Sequence, residues 1–296
     1  MLKPKQPPRV AAIQDLSSVG RCSLTATIPT LSAMGYQVIP LPTALLSTQT
    51  WGYDRPYFLD LSDELDGMIG SFAENKLTFR AIYTGYLASA KQVAVIEKFF
   101  DLFSIRPDES EQLPLLLLDP VLGEDGRFYT TCDRELAAGM KRLASRVDVL
   151  TPNLTEACLL LGEEYLDTKP LPTERVKPYA EALLLELQAL GPRRVIITGV
   201  EDASGKIYNY GVDETRQLFC VSHEKTATSY PGTGDLFASL LLGKLLAGAS
   251  FQSAVAFAAS FVAELAKETE ALGTPAREGV LLEPHLQKLF SERKNS

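Results

Sequence analysis

Leu115-Leu116-Leu117-Leu118-Asp119 is a continuous apolar run that ends in a carboxylate. Such runs suit a strand buried on both faces of a parallel sheet, where the in–out alternation of a half-exposed strand is lost. The same pattern recurs along the chain. Residues 9–13, 81–85, 147–150 and 194–198 read as strands, and 37–41 as a further strand whose prolines suggest a sheet edge. Longer helical patterns separate them, at 22–34, 89–103, 133–145, from 154 onward, and at 173–190. A hairpin is expected at 206–210 and 217–221, then two packed helices at 235–247 and 251–269. Strands alternating with helices predict a mostly parallel central sheet with helices on both faces. No repeat or linker divides the sequence, so a single domain over residues 1–296 is expected, with 107–114 as a polar surface loop.

Composition narrows the partners. The chain is 46% hydrophobic and 22% charged, the balance of an ordinary globular protein with a large core. Its net charge is −8 and it has no basic run, so nucleic acid and anionic membrane are not expected partners. The first eight residues lack an apolar signal-peptide core, and no apolar run is long enough to span a bilayer. Cys22, Cys132, Cys158 and Cys220 fit no CxxC pattern. Reduced thiols in a cytoplasmic protein are the expectation.

In open α/β sheets, ligands bind beyond the carboxyl ends of the strands. Asp15, Tyr86, Asp119, Asn153 and Thr198 all fall there. Near the end of the chain, Tyr230-Pro231-Gly232-Thr233-Gly234-Asp235 runs into an apolar helical segment. Glycines let successive N–H groups turn toward one point, and a helix N-terminus adds free N–H groups and a positive dipole end. Asp235 stands beside that anion seat, where a base can meet a hydroxyl; the dipole is expected to hold its pKa low. The plainer reading is a loop and an N-capped helix. Asp119, Asn153 and Glu156 suit a hard cation such as Mg²⁺. Asn153 and Glu156 equally suit a capping box, and both readings can hold at once. Walker A, GxGxxG, GxSxG and HExxH patterns are absent, and His223 and His285 have no metal-ligand spacing.

Taken together, Gly232-Thr233-Gly234-Asp235 resembles the signature of the ribokinase-like superfamily. Ala12-Ile13-Gln14-Asp15, Thr84-Gly85-Tyr86-Leu87, Asp119-Pro120-Val121-Leu122-Gly123 and Thr151-Pro152-Asn153-Leu154-Thr155-Glu156 resemble blocks of the vitamin B6 kinases. These kinases neighbour the hydroxymethylpyrimidine kinases. The resemblance spans about residues 10–267 and implies a three-layer α/β/α, ribokinase-like fold. It implies ATP-dependent phosphorylation of pyridoxal, pyridoxine or pyridoxamine, with ATP and Mg²⁺ as cofactors, a K⁺ requirement left open, and a homodimer. By position, Asp235 would be the base and the amides of Gly232, Thr233 and Gly234 the anion hole. Asp119 and Glu156 would organise Mg²⁺, with Asn153 near the nucleotide phosphates and Thr198 near ATP. Tyr86 and Thr50 would line the vitamer pocket, and Asp15 would face the ring. The 205–225 region is a candidate nucleotide lid. The chain departs from the pattern at Asp15, where many B6 kinases carry serine, which leaves a hydroxymethylpyrimidine or other small-alcohol substrate open. A non-catalytic vitamer binder is the remaining alternative, although base and anion hole are both intact.

Overall fold

The computed structural model describes residues 6–104 and 113–292. The chain runs β1 (Arg9–Ser17), α1 (Ser23–Ala33), β2 (Gln37–Leu46), β3 (Phe58–Asp60), α2 (Leu65–Glu74), β4 (Ala81–Thr84), α3 (Ala90–Phe103) and β5 (Leu115–Leu118). A small hairpin, β6 (Gly123–Glu124) and β7 (Arg127–Phe128), precedes α4 (Arg134–Ala144), β8 (Val149–Leu150), α5 (Leu154–Leu161) and α6 (Thr173–Ala189). Then come β9 (Arg194–Glu201), β10 (Lys206–Val212), β11 (Leu218–Glu224), α7 (Thr233–Leu246), α8 (Phe251–Ala271) and α9 (Leu286–Glu292). Most of the 107–114 stretch read as a loop, and the first five residues, lie outside the described part.

Nine strands form one sheet in the order β11-β10-β9-β8-β5-β4-β1-β2-β3. The six from β9 to β2 are parallel, and the edge strands β3, β10 and β11 are antiparallel. The pleat explains why the central strands are apolar throughout. In β4, Ala81 and Tyr83 join the core under α1, α7 and α8, whereas Ile82 joins the core under α2 to α6. In β5, Leu117 faces the first core, and Leu116 and Leu118 the second. Helices on both faces complete the three-layer α/β/α arrangement. Among the described residues, no helix is long and apolar enough to cross a membrane.

Three expectations change. The strand beginning at Gln37 is not the terminal one, because β3 pairs with its end at Ala44–Leu46. Pro40 and Pro42 lie before that pairing starts, where only β1 flanks the strand, so the missing N–H groups are tolerated. The 206–221 hairpin is built into the sheet as β10 and β11 instead of standing over it as a lid. Asp15 lies inside β1, at a register shift between Gln14 and Leu16, instead of after the strand.

Candidate active site

The five adjacent strands β9, β8, β5, β4 and β1 present their carboxyl ends in a row. This order brings the segments of Thr198, Asn153, Asp119, Tyr86 and Asp15 side by side. Asp119 follows β5 directly and Gly85 follows β4, each continuing the ladder: the Asp119 amide donates to the Thr84 carbonyl, and the Gly85 amide to the Ile13 carbonyl.

α7 closes the row. It starts at Thr233, two residues earlier than its apolar pattern suggests, so Thr233, Gly234 and Asp235 form its first turn. Their N–H groups have no carbonyl one turn back to bond. Gly232 caps the helix at φ 81°, and a Cβ there would sit 2.0 Å from the Arg21 carbonyl oxygen, so only glycine fits. Gly234 has open space: a Cβ there would meet only the Asp119 Oδ2 atom, at 3.9 Å. The Thr233 hydroxyl donates to the Tyr230 carbonyl at 3.1 Å.

Asp235 also caps a second helix. Its Oδ2 accepts the backbone N–H of Ser23, the first residue of α1, at 2.8 Å. Two helix N-termini therefore meet at one carboxylate. Even so, burial, with the nearby charges of Asp119 and Asp15, pushes the Asp235 pKa up to about 8, against the lowering by the Ser23 N–H. This corrects the expectation of a low value. The dipole and the hydrogen bond act in the expected direction, but desolvation outweighs them. Part of Asp235 still meets solvent, which screens some of that push.

Asp119 and Glu156 are buried. Asp119 Oδ1 accepts the Thr151 hydroxyl at 3.1 Å. Glu156 accepts N–H bonds from Leu122 at 3.1 Å and Asn153 at 2.8 Å. The Asn153 side chain accepts the Glu156 amide at 2.9 Å and donates to the Gly123 carbonyl at 2.8 Å. The capping box is thus formed, and it ties α5 to the β6–β7 hairpin. Burial pushes the pKa of both acids up, and the charge of Asp119 pushes that of Glu156 further. The hydrogen bonds named here come from neutral donors, none of which balances the charge of an ionised Asp119 or Glu156. Such a donor set fits Mg²⁺, an oxygen-seeking cation that keeps most of its own waters and needs no closed protein cage. Among the described residues, the group whose ligand atoms gather within 4.8 Å is Glu264, Glu268 and His285. In this group Glu264 and Glu268 are exposed and His285 is buried; His285 bonds Glu268 at 2.9 Å and Lys288 pairs with Glu264 at 2.6 Å.

The remaining expected residues divide. Thr198 lies inside β9 instead of beyond its end, and forms a parallel bridge with Asn153, its amide donating to the Pro152 carbonyl at 2.9 Å. Tyr86 packs against the core under α2 to α6, its carbonyl accepting the Thr43 hydroxyl at 2.8 Å. Thr50 is exposed in the loop after β2, and no contact described here joins it to the acids. Sequence reasoning missed Ser23, which touches both Asp15 and Asp235. It also missed Tyr129, 38% exposed, whose phenol pKa is raised by the part of it that is desolvated and by the charges of Glu156, Glu124, Asp119 and Asp235. Neither residue falls within the five blocks quoted above, although Ser23 closes the run Ser17–Ser23 that follows Asp15.

The phosphomethylpyrimidine kinase family model matches residues 18–278. A pyridoxine/pyridoxal/pyridoxamine kinase of Bordetella avium is 30% identical over 257 residues, covering 83% of this chain and 80% of that protein. A Bacteroides thetaiotaomicron protein provisionally described as a phosphomethylpyrimidine kinase, in a crystal form with pyridoxal, superposes with TM-score 0.87 at 39% identity and 96% coverage of each chain. The pyridoxal kinase of Lactobacillus plantarum superposes with TM-score 0.85 at 32% identity, covering 97% of this chain and 98% of its own. The chain belongs to the phosphomethylpyrimidine kinase family and, with its pyridoxal kinase relatives, to the ribokinase-like superfamily.

Proposed function

We propose that this chain transfers the γ-phosphoryl group of ATP to the 5′-hydroxymethyl oxygen of pyridoxal, pyridoxine or pyridoxamine, giving the 5′-phosphate and ADP. The relatives named above support the substrate class. The observation that carries the chemistry is Asp235, held by the Ser23 N–H inside the first turn of α7, beside amides with no intrahelical partner. The vitamer oxygen attacks the γ-phosphorus, a new O–P bond forms, and the bond to the bridging oxygen breaks, with its electron pair leaving on ADP. Asp235 accepts the hydroxyl proton. The amides of Gly232, Thr233 and Gly234 face the charge on the transferred group, where fixed donors act most strongly. A pKa near 8 suits a base working close to neutral pH.

In this reading Asp119 and Glu156 hold Mg²⁺ and its waters, and the ion supplies charge neutralisation on the phosphate oxygens. Asn153 and Thr198 lie toward the nucleotide, Tyr86 and Thr50 line the vitamer pocket, and Asp15 faces the ring. Residues 1–296 act as one kinase domain, a cytoplasmic homodimer, with any need for K⁺ left to the assay. The test is ADP release with Mg²⁺ and each of pyridoxal, pyridoxine, pyridoxamine and hydroxymethylpyrimidine, with and without K⁺. Turnover with the three vitamers above the pyrimidine is expected. A dominant pyrimidine rate would reassign the acceptor, and release that ignores every acceptor would remove the kinase reading.

A further inference from the structure

Ser23 occupies an uncommon position. It is the first residue of α1 and a non-glycine at φ 46°, in the left-handed region that L side chains seldom adopt. That backbone aims its two polar groups at two different acids. The N–H donates to Asp235 Oδ2 at 2.8 Å, and the hydroxyl donates to Asp15 Oδ1 at 2.5 Å. The other Asp15 oxygen accepts the Ser17 hydroxyl at 2.9 Å, so two serines fix the plane of that carboxyl. Asp15 itself is buried where the β1–β2 register shifts, the single residue of β1 that faces two residues of β2, Thr43 and Ala44. The strain at Ser23 is of a kind that persists where surrounding structure over-determines it, at functional positions.

We propose that Ser23 is a positioning residue that fixes the acceptor relative to the base, its hydroxyl orienting Asp15 toward the vitamer ring and its amide orienting Asp235 toward the hydroxyl that reacts. The proposal rests on the reading of Asp15 as the ring contact and Asp235 as the base. An ionised Asp15 is an acceptor only, so the ring it selects must offer an N–H or O–H donor. With both its oxygens already bonded to serine hydroxyls, the direction left for that donor is narrow. Ser23 therefore acts on acceptor binding through Asp15, separately from its amide's action on Asp235.

Glycine separates the two roles. Ser23→Gly keeps the N–H, accepts φ 46° without strain, and removes the side-chain CH2OH with the hydroxyl that reaches Asp15. Initial rates are measured for wild type, Ser23→Gly, Asp15→Asn and the double variant, with vitamer and ATP varied in turn, alongside thermal melts. In Ser23→Gly, KM for the vitamer is expected to rise about tenfold, the scale of one lost charge-assisted hydrogen bond. KM for ATP and the melting temperature are expected to hold, and kcat to fall far less than the vitamer KM rises. In the double variant the vitamer KM is expected to match that of Asp15→Asn alone, because the hydroxyl works through that carboxylate. An unchanged vitamer KM in Ser23→Gly overturns the proposal. So do equal losses in both KM values, or effects of the two substitutions that simply multiply. Wild-type protein without vitamer-dependent turnover would instead remove the kinase reading, and this proposal with it.

Discussion

At the scale of single residues, Asp235 does two jobs that substitution can separate. It is the proposed base, and it caps α1 from 212 positions away. Asp235→Asn keeps an oxygen to accept the Ser23 N–H but cannot take a proton. We expect kcat to fall by at least ~10²-fold with little change in melting temperature. Asp235→Ala should lose both, adding a loss of about 1 kcal/mol for the missing cap. Turnover paired with thermal melts distinguishes them, and an active Asp235→Asn would displace this residue from the chemistry. The two glycines beside it differ in kind. Gly232→Ala places a methyl 2.0 Å from the Arg21 carbonyl oxygen at φ 81°, and should cost about 1–3 kcal/mol of stability in a denaturant titration. Gly234→Ala meets only the Asp119 carboxylate, at 3.9 Å, and should fold normally while losing activity, because its methyl enters the proposed phosphoryl seat. If both variants melted like wild type, the close approach of the α7 cap to Arg21 would be wrong.

Elements carry the next level. The α5 cap holds more than its own helix, since Asn153 also donates to the Gly123 carbonyl and Glu156 also accepts from Leu122. Asn153→Ala should therefore cost more than a simple cap, which is worth about 1 kcal/mol. Limited proteolysis should then find residues 123–128 opened, whereas an intact hairpin would show that Asn153 caps α5 and does nothing further. The capping box was legible in the sequence because its spacing is local. So were β5, whose four leucines leave no solvent face, and α7, whose glycines precede an apolar run. β3 was not legible, because its three residues are all exposed and pair only through the tertiary fold. The β6–β7 hairpin is two residues per strand around Asp125-Gly126, too short to show a period. α2 went unread although Leu65 and Ile69 sit at helical spacing, because most of its other positions are exposed or half-exposed. Ser23 escaped for a different reason: its role comes from a positive φ and a partner distant in sequence, neither of which local spacing encodes.

For the molecule as a whole, the site opposes the fold that builds it. Burial pushes the pKa of Asp15, Asp119, Glu156 and Asp235 up, and neighbouring acids add to the push on Glu156 and Asp235. A raised carboxyl pKa means that the folded chain keeps protons which the unfolded chain releases. The associated stability is fully present below the ordinary carboxylate range and is lost as pH rises through the folded value, about 8 for Asp235. Acids shifted the other way, such as Glu214, lowered to about 2 by its bond to Arg194, lose their contribution only in the acid range. The window from about pH 5 to 9 therefore separates the raised acids from the lowered ones, with His223, whose pKa burial lowers, acting there in the opposite direction. Without divalent cation, the melting temperature should fall across that window by more than ~3 °C. With millimolar Mg²⁺ the fall should shrink, because a cation that binds only the folded, ionised site stabilises it by mass action. Melts at several pH values, each with and without Mg²⁺, provide the measurement. A melting temperature that rose with pH, or a slope indifferent to Mg²⁺, would mean that these carboxylates do not share one desolvated pocket. The energetic conflict would then be absent, and with it the reason for a metal ion at this end of the sheet.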